Sequence, residues 1–209
     1  MDYIPSELPH SELYGMLLNS VGPRPIAWVS TLSASGQPNL APFSFFNVLS
    51  VSPPLLGFSP GMRPNKDDTT RGDPKDTLHN VRETKEFVVN IVTFELLNAM
   101  NITSGEYHSS VNEFELAQVT PTPSKIVRPP RVAESPVSFE CKLRQILDFS
   151  PSHTGSSLVI GEIVCIHAGD KHLKDGRLDR DSLDLIGRMG GIQYTRTTER
   201  VELARPKMQ

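Results

Sequence analysis

Apolar and polar residues alternate over several short stretches, and glycine and proline separate the stretches. Residues 25–32 set Ile26, Trp28 and Ser30 on one face and Ala27, Val29 and Thr31 on the other, which predicts a strand. Residues 33–37 predict a turn, with Gly36 supplying the awkward dihedral. Residues 39–51 predict a long strand or two joined strands, with Pro42 marking a bulge or an edge. Pro53 and Pro54 predict a corner, followed by a short strand over 55–58. Residues 86–92 form a further β-rich run. Residues 134–148 alternate cleanly, Val137, Phe139, Cys141 and Leu143 facing one way and Ser138, Glu140, Lys142 and Arg144 the other, the pattern of a half-buried antiparallel strand. Residues 158–168 are more uniformly apolar and predict a central strand; 192–194 and 201–203 predict terminal strands.

Helical spacing is confined to short pieces. Leu13, Met16, Leu17 and Leu18 predict a helix from Ser11, as N-cap, to about Val21, stopped by Gly22 and Pro23. A second helix is predicted from Asp76 or Thr77 to about Thr84, a third over 94–104, a helical turn over 111–117 and a polar helix-like stretch after 168. Residues 59–74 carry little apolar content and predict a long surface loop, a kind of segment that is often functional. Residues 105–110 predict a second polar loop, and Pro121, Pro123, Pro129 and Pro130 an extended connector. No repeat or composition break divides the chain, so residues 1–209 are read as one mainly β domain with inserted helices.

Composition narrows the function classes. Eighteen prolines in 209 residues argue against a helix bundle. A net charge of −3 argues against a nucleic-acid module held by phosphate contacts. No apolar run has the ~20 residues of a membrane helix, and the N-terminus lacks a signal-peptide pattern. Cys141 and Cys165 form no disulfide framework and read as buried reduced thiols, which points to the cytoplasm.

The familiar catalytic motifs are missing. There is no dinucleotide fingerprint, P-loop, paired-cysteine motif or nucleophile elbow. His167 and His172 lack a metal-binding spacing, so no metal site is expected. What remains is two segments rich in hydroxyl, amide and backbone-donor positions. One runs through residues 25–31 and the turn into 39–47; the other is the basic, polar loop closing at Lys75, Asp76 and Thr77. Such a pair suits a ligand with a flat ring at one end and an anion at the other. The ring needs apolar walls with a few polar groups, and a phosphate needs cations, hydroxyls and the free N–H groups of a helix start. Flavin mononucleotide (FMN) has those two ends.

The sequence resembles the flavin reductase-like, FMN-binding split-barrel family, with flavoredoxin as the nearest named type. The resemblance is carried by Arg24-Pro-Ile-Ala-Trp-Val-Ser-Thr31, Asn39-Leu-Ala-Pro-Phe-Ser-Phe-Phe-Asn47, Ser52-Pro-Pro54 and Lys75-Asp-Thr77. It continues through Glu86-Phe-Val-Val-Asn90, Pro129-Pro130 with Glu134-Ser-Pro136, Leu158-Val-Ile-Gly-Glu162 and Arg188-Met-Gly-Gly-Ile-Gln-Tyr194. Each segment is weak alone; in order along the chain they are specific. The resemblance implies a six-stranded antiparallel split β-barrel of Greek-key type and a homodimer with FMN near the subunit interface. It also implies hydride or electron transfer through the flavin, for which NADH or NADPH is one candidate reductant. Carried over by position, it implies flavin contacts at Ser30, Thr31, Phe43, Ser44, Phe45 and Asn47, several through backbone groups. It places the phosphate and ribityl end at Arg71, Lys75, Asp76 and Thr77. Asp76 would repel a phosphate, so its expected part is an N-cap or a ribityl hydroxyl partner.

Other readings stay open at this stage. Trp28 suits a core or interface aromatic as well as a flavin neighbour. Ser44 and Asn47 suit a bulge, and Lys75 and Arg71 suit solvated loop charges. His108 and His153 fall in polar loops and suit plain surface histidines. Arg188 suits either the flavin or the dimer partner. Three functions fit: an NAD(P)H-dependent flavin reductase, an FMN-loaded electron carrier reduced by a redox partner protein, and a β-barrel interaction domain without flavin.

Overall fold

The computed structural model describes residues 1–62, 74–149 and 155–206. Strands β1 (Ala27–Leu32), β2 (Pro38–Phe43), β3 (Phe46–Val51) and β4 (Pro54–Phe58) follow helix α1 (His10–Ser20). Helix α2 (Asp76–Thr84), strand β5 (Glu86–Ile91) and the short helices α3 (Leu97–Ile102) and α4 (Glu113–Leu116) come next. Then come β6 (Pro121–Thr122), β7 (Arg131–Val132), the long pair β8 (Val137–Asp148) and β9 (Ser157–Ala168), and the short strands β10 (Leu173–Lys174), β11 (Arg177–Leu178), β12 (Ile186–Arg188) and β13 (Tyr194–Arg196).

Seven of these strands form one antiparallel sheet in the order β2-β1-β5-β8-β9-β4-β3. The two edge strands, β2 and β3, are consecutive in the chain, and only Ser44 and Phe45 separate them. Edges that close in sequence cannot lie at opposite ends of a flat sheet, so the sheet curls into a split barrel. Residues 39–51 are therefore two joined strands, and Pro42 sits on the edge strand, where its missing N–H costs no ladder bond. Gly36 turns the β1–β2 hairpin at φ +89°.

Alternation on β1 feeds two cores. Ala27 and Val29 join Phe43, Phe58, Phe87 and Cys141 inside the barrel. Ile26 and Trp28 point the other way, packing with Leu40, Met100, Phe114 and Ile186. Trp28 is fully buried, and its Nε1 donates to Thr103 Oγ1 at 2.8 Å, which ties the end of α3 to the sheet. Gly161 on β9 lets the Phe87 ring lie against the backbone; a Cβ there would overlap the ring.

Several local expectations are corrected. Helix α1 starts at His10 behind Pro9, with no side-chain cap from Ser11. Helix α3 is shorter than 94–104 because Thr93 and Phe94 pair with Leu185 and Asp184. The stretch after 168 is no α-helix: Asp175 and Gly176 take positive φ and turn the small β10–β11 hairpin. Residues 201–203 take no regular secondary structure and are exposed rather than forming a terminal strand, and only Tyr194 of 192–194 enters one. Cys165 is only partly buried.

Glu140, expected to face solvent, is fully buried. Its carboxylate accepts from the backbone N–H groups of Lys125 and Ile126, both at 2.6 Å, and of Val127 at 3.0 Å. His167 Nε2 completes the shell at 2.5 Å. Burial opposes ionisation, but these donors outweigh it and hold the carboxyl at about 2. The proline-rich connector is thereby pinned across the sheet, which hides a residue that alternation alone would place in water. No helix among the described residues is long and apolar enough to cross a membrane.

Candidate functional site

The site grows from the β2 edge and the start of α2. Two buried amide–hydroxyl bonds clip this helix to the barrel: Asn39 Nδ2 donates to Thr77 Oγ1, and Asn80 Nδ2 to Thr31 Oγ1, each at 3.0 Å. Thr77 therefore spends a lone pair on Asn39 and keeps its proton to donate. The first-turn N–H groups of α2 have no intrahelical acceptor. Lys75, Asp76 and Thr77 line a small hollow of about 40 Å³ together with Asn39, Pro42 and Phe43. Glu106 and Glu113 also border it, the Glu113 carboxylate accepting from the Leu40 N–H at 3.2 Å.

A second hollow of about 210 Å³ adjoins the first along Pro42, Phe43 and Ser104. Tyr14, Ile26, Met100 and Tyr194 give it apolar and aromatic walls, and Arg24 and Arg188 bring two guanidinium groups. Arg24 is only 5% exposed. It donates to the carbonyls of Leu18, Val21 and Met189 at 2.8, 2.5 and 2.9 Å, which ties α1 to the β12 end, and its Nε reaches Ser44 Oγ at 3.5 Å. Burial, and then the charge on Arg188, lower its pKa from the usual arginine value. Arg188 stacks over the Tyr194 ring at 4.5 Å. No carboxylate lines this hollow among the described residues.

The expected contacts separate into groups. Phe43, Ser44, Lys75, Asp76 and Thr77 line the paired hollows. The side chains of Ser30 and Thr31 are fully buried: Ser30 Oγ donates to the Pro130 carbonyl, and Thr31 anchors α2. Phe45 and Asn47 are exposed on the β3 side of the bend, where Asn47 Oδ1 accepts from the Val48 N–H at 2.8 Å. His108 bonds Ser110 at 2.9 Å and borders neither hollow. Arg71 and His153 lie outside the described residues. Sequence reasoning left out Tyr14, Arg24 and Tyr194 as contacts. The signal was an arginine beside proline at the head of the buried strand β1, where a solvated charge is out of place.

The family profile of the flavin reductase like domain matches residues 20–182. The chain belongs to this family. Among solved flavin reductase-like folds, component B of nitrilotriacetate monooxygenase from Bacillus cereus superposes with a TM-score of 0.89 at 31% identity, covering 97% of this chain and 98% of that one. A 2-nitrobenzoate 2-nitroreductase from Pseudomonas fluorescens gives 0.85 at 34% identity, covering 99% and 96%. A relative in Aquifex aeolicus is 43% identical over 197 residues, 94% of this chain and 95% of its own length.

Elsewhere, Glu140, Cys165 and His167 bring ligand-type atoms within 4.8 Å of one another. The sequence reading expected no such grouping. Its carboxylate already holds three backbone donors and His167, which makes it a structural clasp on the connector.

Proposed function

We propose that this protein is an FMN-dependent oxidoreductase of the flavin reductase type, a cytoplasmic homodimer that takes its electrons from NADH or NADPH. The supporting observation is the continuity of the groove: Pro42, Phe43 and Ser104 line both a hydroxyl- and cation-bearing helix start and an aromatic hollow. A ligand with unlike ends fits that arrangement. Bound flavin supplies the hydride or electron transfer, so no side-chain base or nucleophile is required.

The chain's own residues bind and orient. Lys75, with Arg71, offers charge to the phosphate, Thr77 offers its hydroxyl proton, and the α2 start offers N–H groups. Phe43 and Ser44 flank the ring. Thr31 and Asn39 act at one remove by fixing α2, and Ser30 does so by fixing the connector.

A second copy completes the enclosure. The two hollows fall short of the ~300–1,000 Å³ of a closed ligand pocket. Along the same bend, Phe45, Val48, Leu49 and Val51 leave apolar surface exposed.

The test mixes FMN-loaded protein with NADH or NADPH without oxygen and follows visible flavin absorbance. Bleaching by either nucleotide is expected. Bleaching by dithionite alone would reject nicotinamide dependence in favour of a carrier reduced by a partner protein.

A further inference from the structure

The hollow that Phe43 and Ser44 share with two arginines carries an unbalanced positive charge. Arg24 and the half-buried Arg188 both line it, and no carboxylate does among the described residues. The other walls are aromatic, apolar or uncharged polar. Like charges in a place partly withdrawn from water repel, and without a counter-ion they are costly. Arg24 offsets its own cost through three backbone carbonyls and the Ser44 hydroxyl. Arg188 is less well supplied. Gly191 O takes one Nη2 bond at 2.5 Å, and the guanidinium has no other hydrogen-bond acceptor among the described residues. Its Cζ lies over the Tyr194 ring at 4.5 Å, a contact that holds the charge in place without neutralising it.

A flavin ring in this hollow changes charge when it is reduced. The oxidised ring is neutral. Two electrons and one proton, delivered as a hydride by a nicotinamide that is itself oxidised, leave the ring with one negative charge near neutral pH. The cation pair then has the counter-charge that the oxidised state lacks, and fixed cations favour the state in which that charge is present. Arg24 has its donors committed to the chain, so Arg188 is the better placed of the two to turn a donor toward the ring.

We infer that Arg24 and Arg188 bind the reduced, anionic form of FMN more tightly than the oxidised form and so raise the reduction potential of the bound flavin, with Arg188 carrying the larger share. This deepens the flavin reading above and rests on it.

The midpoint potential of the FMN-loaded protein, measured without oxygen against a dye of known potential, tests it. In the unaltered protein the midpoint should lie above that of free FMN. Arg188→Met keeps an unbranched apolar stem and removes the charge. It should weaken reduced FMN about tenfold or more relative to oxidised FMN, which lowers the midpoint by about 30 mV or more. Arg188→Lys, which keeps the charge, should restore part of the shift. Fluorescence titration with oxidised FMN shows separately that each variant still binds. A role in shape alone would weaken both forms equally and leave the midpoint where it was. A midpoint unmoved in the FMN-loaded Arg188→Met protein would therefore overturn the inference and leave the flavin reading standing. A midpoint at or below that of free FMN in the unaltered protein would do the same. No FMN binding to the unaltered protein would sink both.

Discussion

Replacing Glu140 by glutamine keeps the shape of the side chain and removes the charge that pins the connector. In the native protein the carboxyl is held at about 2, against an ordinary value of 4.5. That displacement corresponds to about 3 kcal/mol of folding stability. The sign follows from the direction. The unfolded carboxyl binds its proton at higher pH than the folded one. The stabilisation is therefore complete above pH ~4.5 and is lost as pH falls toward 2, with roughly 2 kcal/mol already gone at pH 3. Glutamine has one acceptor where the carboxylate has two, and its amide turns a donor toward backbone donors. Lys125, Ile126 and Val127 then lack a full set of acceptors in a buried place. Urea unfolding of both proteins from pH 7 to pH 3 measures this. The gap between them should be about 3 kcal/mol at neutral pH and should shrink steadily below pH 4.5. A gap that stays constant across that range would refute the claim that a buried, ionised carboxylate holds the connector.

Lys75→Ala should raise the FMN dissociation constant about tenfold and move that of riboflavin less than twofold, because only FMN carries phosphate; flavin fluorescence titration separates the two, and equal losses would mean that Lys75 does not meet the phosphate. Gly161→Ala forces a methyl group into the Phe87 ring and should cost about 1–3 kcal/mol in urea unfolding, with an unchanged midpoint arguing against this packing. Burial, and secondarily the Glu140 charge, push the Cys141 thiol far above its usual range, while Cys165 is partly exposed. A thiol-alkylating reagent should therefore label native protein at Cys165 well before Cys141, as peptide mass mapping would show.

Much of the fold was legible because the strands are short, alternating and set off by breakers. Residues 25–32 and 134–148 read as strands because period-two alternation is hard to confuse with a helix at that length. The stretch after 168 misled because its charged residues satisfy helical spacing, while the turn at Asp175 and Gly176 is set by backbone dihedrals that side-chain polarity does not report. Glu140 misled for a related reason. Alternation predicts which face a residue takes, not whether a distant connector will cover that face with N–H groups. At the site, Lys75, Asp76 and Thr77 were legible as a helix start, and Phe43 and Ser44 as the edge beside it. Arg24, Arg188 and Tyr194 meet only because the β12 end returns to Arg24 through the 188–24 backbone pairing. That contact spans most of the chain and leaves no local pattern.

The most direct test of the central claim is a paired titration of the purified protein with FMN and riboflavin, followed by quenching of flavin fluorescence. The groove predicts saturable one-to-one binding per chain, with FMN at least tenfold tighter than riboflavin because the start of α2 grips the phosphate. Absence of quenching by either flavin, or indistinguishable affinities for the two, would contradict it.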